Sequence, residues 1–107
     1  MFLDNETFIS SSMRSDADAE LYITTTEANV LIPMVDPDNG RDFQANTLEL
    51  ESGSASDIFF KINEGKYIGV LSPNSIKTLS GKINSITIIT SGAKLRFQGW
   101  ARGYNKT

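Results

Sequence analysis

The residues best equipped for chemistry lie in SGAKLRFQGWARGY, residues 91–104. Side chains alternate sides along a strand. Read as a strand, this stretch puts Leu95, Phe97 and Ala101 on one face. Lys94, Arg96, Gln98, Trp100, Arg102 and Tyr104 fall on the other. The only tryptophan of the sequence therefore sits among cations on the face expected to be wet. Several uses of such a face are open. Trp100 and Tyr104 beside Arg96 and Arg102 could stack on a sugar or a base. Gln98 and Asn105 are the only amides at hand for a sugar. Trp, Tyr and Arg are also the residues that dominate protein interfaces. The remaining alternative is a bulge at Gly99, which would shift the phase by one residue and turn Trp100 into the core. The interface candidates are Arg96, Gln98, Trp100, Arg102 and Tyr104.

Other chemistry is harder to assemble. The sequence has no histidine and no cysteine. That removes the commonest general base and transition-metal ligand, and with cysteine any thiolate site or disulfide framework. Paired acids can run glycoside hydrolysis, but the acids here cluster in turn-like segments of the first half. No Gly-rich phosphate loop occurs. Residues 36–42, DPDNGRD, offer oxygens at alternate positions, as calcium requires. The third ligand position is Gly40, however, and no Glu follows at the right distance. A plain turn is the reading preferred for that loop. The expectation is a protein without enzymatic activity, cofactor or metal.

The chain has 107 residues and a net charge of −3. This allows one domain with one core. No apolar run reaches the ~20 residues of a membrane helix, and the start lacks the pattern of a signal peptide. The charge is unevenly spread. Residues 1–57 hold twelve acids and two bases, and residues 58–107 one acid and eight bases. Either the acidic half meets the basic half, within a molecule or between copies, or strands of both halves interleave in one sheet. The acidic total argues against a nucleic-acid partner.

These residues need a frame, and the frame reads as all β. Strand-like stretches occur at 20–26, 28–35, 43–51, 57–63, 66–71, 75–79, 82–90 and 94–104, separated by turn residues. Pro33 implies an edge or a bulge. In DIFFKIN, residues 57–63, Ile58, Phe60 and Ile62 point inward and Phe59 and Lys61 outward. Glu64-Gly65 marks a hairpin turn, and Ser80-Gly81 another. Residues 82–90, KINSITIIT, carry isoleucine on both faces, as a strand covered on both sides does. One helical turn at most fits residues 16–21. Residues 1–19 form an N-terminal arm or a first strand, and residues 20–107 a single domain. The economical packing is an antiparallel two-sheet sandwich, with the jelly roll among its possible strand orders.

Residues 57–103 resemble small structural proteins encoded in tailed-bacteriophage virion gene clusters. In those, a D-[IV]-[YF]-[VFI]-K-I-N hairpin precedes a loop with Pro and Ser, a K-I-x-S-I-T-I strand and an S-G-A-K turn into a terminal aromatic strand. Residues 57–63, 82–88 and 91–94 stand where such pieces would. The acidic residues 1–56 depart from the pattern. The resemblance implies a virion location and a role as capsid decoration or cement protein, or as head or tail accessory. It also implies a homo-oligomer with virion subunits as partners, and neither nucleic acid nor membrane. The rival expectation is a carbohydrate-binding or host-attachment module using Trp100 and Tyr104.

Overall fold

The computed structural model describes residues 7–10, 17–35, 40 and 44–101, with backbone alone at 7–10 and 101. Nine strands follow in order: β1 (Thr7–Ser10), β2 (Ile23–Thr24), β3 (Val30–Pro33), β4 (Ala45–Ser52), β5 (Ile58–Ile62), β6 (Ile68–Leu71), β7 (Ile76–Ile83), β8 (Ser85–Ile88) and β9 (Lys94–Ala101). Among the described residues there is no helix. Where a helical turn was expected, Asp18 closes a tight turn instead. Its carboxylate accepts the N–H groups of Glu20 and Tyr22, both at 2.9 Å.

The pairing is nested. β5 pairs with β6, β4 with β7, β3 with β8 and β2 with β9, all antiparallel. This is one long hairpin. Rolling it up adds the pairs β4–β9 and β5–β8. One sheet then runs β1-β9-β4-β7 with β2 also beside β9, and the other runs β3-β8-β5-β6. That order is the jelly roll, and the molecule is an antiparallel β-sandwich. Thr7–Ser10 takes the strand alternative, pairing with residues 98–101 of its own chain.

Period-two alternation builds the core. Leu48 and Leu50 of β4 and Leu95 and Phe97 of β9 face inward from the first sheet. Ile32, Ile58, Phe60, Ile86 and Ile88 meet them from the second. Truncating one of these to Ala costs about 2–5 kcal/mol. The inward set of 57–63 is the one the alternation implies. Pro33 lies on β3, an edge strand, where its missing N–H costs no ladder bond.

Three local readings are corrected. Residues 82–90 are not one strand, because the chain leaves the first sheet after Ile83 and enters the second at Ser85. Asn63 holds that corner. Its Oδ1 accepts the N–H of Asn84 at 2.6 Å and of Ser85 at 3.2 Å, and its Nδ2 donates to the Lys82 carbonyl at 2.6 Å. Ser80-Gly81 is not a turn. It lies inside β7, where one extra residue opposes β4 and Gly81 has φ 139°, open to glycine. The turn after β5 centres on Asn63 and Glu64, both at positive φ, not on Glu64-Gly65.

Candidate functional site

β9 is the strand that carries the candidate residues, and its neighbours decide what they can do. The β4–β9 ladder runs without interruption from Ser52↔Leu95 to Thr47↔Trp100. Gly99 therefore makes no bulge. Phase is kept, and Trp100 stays on the outward face with Lys94, Arg96 and Gln98, half-buried there. The core alternative for Trp100 is thereby removed. Arg102 and Tyr104 lie outside the described residues.

Arg96 is engaged within the molecule. Its Nε donates to Glu51 Oε1 at 2.7 Å, from the directly opposite position on β4. Its Nη1 donates to the Glu20 carbonyl at 3.3 Å. The guanidinium lies 4.9 Å from the Tyr22 ring centroid, and Lys94 Nζ lies 5.0 Å from the same centroid. The hydrogen bond to Glu51 leads in raising the Arg96 pKa above its ordinary value, so this side chain is a fixed cation. Gly53 makes room for the arrangement, since a Cβ there would come within 2.7 Å of the Tyr22 ring. The sequence placed Arg96 beside Trp100 on one strand face. In the fold Arg96 also pairs with Tyr22 and Glu51, neither of them singled out by spacing. The strands that bring them to β9 lie more than forty residues away, so local pattern held no signal.

Above this cluster the outward face is polar and mixed. Gln98 is exposed opposite Glu49, and Thr47 opposes Trp100. An open cleft of about 400 Å³ lies at one end of the sandwich, between residues 54–57 and 90–94. Two of its hydroxyls serve the backbone. Ser54 Oγ accepts the Lys94 N–H at 2.8 Å, and Thr90 Oγ1 accepts the Phe59 N–H at 2.8 Å. Among the described residues, no three acids gather as a metal site. The 36–42 loop lies outside them except for Gly40, whose φ of 72° fits a turn.

Sequence reasoning missed the apolar surface. Leu31, Phe59, Ile68 and Val70 all face outward on the second sheet, and Tyr67 and Ile76 are exposed beside them at the β6–β7 side. The alternation of residues 57–63 placed Phe59 outward, but only the sheet order shows that its neighbours are apolar too. The charge split also changes meaning. Nested pairing sets acidic β4, with Glu49 and Glu51, between β9 and β7 of the basic half. The halves interleave in the first sheet, while in the second β3 alone comes from the acidic half and lies at one end. Comparison with protein-family models, curated proteins and solved structures finds no match.

Proposed function

We propose that this chain is a structural protein of a tailed-bacteriophage virion, a capsid decoration or cement protein or a head or tail accessory, that acts by gripping neighbouring subunits. The observation that carries the reading is the group of outward apolar side chains Phe59, Ile68 and Val70 on the paired strands β5 and β6, joined by exposed Tyr67 and Ile76, with Leu31 exposed at the far edge of the sheet. Contiguous apolar surface of this kind marks protein contact. The jelly roll is an architecture of capsid domains and also of lectins, so it suits the proposal without deciding it. The phage setting rests on the resemblance of residues 57–103. Its matched pieces, residues 57–63, 82–88 and 91–94, form β5 with the turn after it, the β7–β8 corner with β8, and the turn into β9.

The test is incubation of the tagged chain with particles of the phage that encodes it, followed by gradient purification and quantification. A stoichiometric number of copies per particle is expected; recovery of none contradicts the proposal. A second reading is favoured by one observation, that Trp100 keeps to the outward face near Gln98. It is a carbohydrate-binding module, and it requires a shift of Trp100 fluorescence on adding oligosaccharide.

A further inference from the structure

The two lateral sides of the sandwich differ in charge, and both are apolar. At one side β6 and β7 end their sheets; at the other β3 ends the second sheet, and β1 and β2 both lie along the free side of β9 in the first. Residues 64–82, which build the first side, hold Lys66, Lys77 and Lys82 against Glu64 alone. Residues 17–35, which supply β2 and β3 at the second, hold Asp18, Glu20 and Glu27 and no base. The cations next to the second side, Lys94 and Arg96 on β9, are turned onto Tyr22, and Arg96 is paired with Glu51. They leave the acidic character of that side in place.

Exposed apolar groups go with the charges. Tyr67 is 87% exposed, Ile76 59% and Ile68 50%, all at the basic side. Leu31 at 47% and Leu21 at 45% stand at the acidic side. The outward row Leu31–Thr87–Lys61–Ile68 crosses the second sheet and is apolar at both ends.

We infer that copies of this chain associate head to tail, the β6–β7 side of one docking on the β2–β3 side of the next. This deepens the assembly reading by naming the partner as a second copy. A two-fold contact would press each side against its own like charges, which is unfavourable. A head-to-tail contact puts lysines against carboxylates and apolar groups against apolar groups. Such a contact is heterologous, and it closes into a ring or continues as a filament. Because the charges are exposed, the association weakens as salt screens them.

Two triple variants test it, with circular dichroism to establish that each is folded. K66E/K77E/K82E makes both sides acidic, and D18K/E20K/E27K makes both sides basic. Sedimentation velocity at low salt should show each variant alone associating at least tenfold more weakly than the unchanged chain. An equimolar mixture of the two should recover association, since unlike sides then meet. The proposal is overturned if the unchanged chain is monomeric at every concentration, if only one variant is impaired, or if the mixture stays dissociated. A monomer that still sediments with phage particles would defeat this contact and leave the assembly reading standing. Head-to-tail association without particle binding would do the reverse.

Discussion

Thr25→Val should destabilise the fold by about 2 kcal/mol. Thr25 is 6% exposed and lies between β2 and β3. Its Oγ1 donates to the Thr90 carbonyl at 3.0 Å and accepts the Ala93 N–H at 2.9 Å. Its backbone N–H donates to the Ala93 carbonyl at 2.9 Å, and its carbonyl accepts the Gly92 N–H at 3.0 Å. The residue thus ties the turn that feeds β9 to the opposite end of the chain. Valine keeps the β-branch and nearly the volume but removes the hydroxyl. The Ala93 N–H, buried with its residue, loses its acceptor, and a buried donor without a partner costs about 1–3 kcal/mol. The Thr90 carbonyl is half-buried and can turn to water, so most of the loss falls on Ala93. A loss of 2 kcal/mol lowers Tm by roughly 8–16 °C in a domain of this size. Urea unfolding should show a lower midpoint at unchanged slope. Thr25→Ser keeps both hydrogen bonds and should lose about 1 kcal/mol for the missing methyl. If Val proves as stable as Ser or more so, the hydroxyl does not hold the turn as argued.

Asn63→Ala removes three hydrogen bonds at the sheet-to-sheet corner and places Ala at φ 56°, so a loss of about 1–3 kcal/mol is expected in urea melts. Asn63→Gly relieves the backbone and should cost less than Ala; equal losses would assign the whole effect to the clamp. Gly69→Ala drives a methyl within 2.5 Å of the Phe60 ring and should cost about 1–3 kcal/mol by thermal melting. Ile68→Lys, at an exposed position, should leave stability within about 0.5 kcal/mol while weakening self-association in sedimentation. Arg96→Ala breaks contacts with Glu51 and Tyr22 inside one molecule. It should move the Tyr22 ring resonances and leave oligomer size unchanged; a change in size would return Arg96 to the contact surface.

Much of the architecture was legible because alternation is a local property. Leu48 with Leu50, and Ile58 with Phe60, declare their faces within a few residues, and Pro33 declares its edge. What was hidden depends on contacts remote in sequence. The break of 82–90 at Asn84 comes from Asn63, twenty-one residues earlier, and nothing in KINSITIIT requires it. Gly81 looked like a turn because glycine serves turns and bulges alike. The phase of Trp100 could be read, but the partners of Arg96 could not, since Tyr22 and Glu51 reach it only through the rolled hairpin. The charge asymmetry was visible as two halves of the chain. In the fold it becomes two sides of the sandwich, because nested pairing mixes the halves and leaves 17–35 and 64–82 at opposite edges.

In the proposed assembly this sandwich binds its own kind through unlike sides, and light scattering across concentration, at low and at high salt, is the decisive measurement. A mass that climbs beyond a dimer with concentration at low salt, and falls toward one chain as salt rises, is expected. A mass of one chain at every concentration, or a dimer indifferent to salt, rules that assembly out.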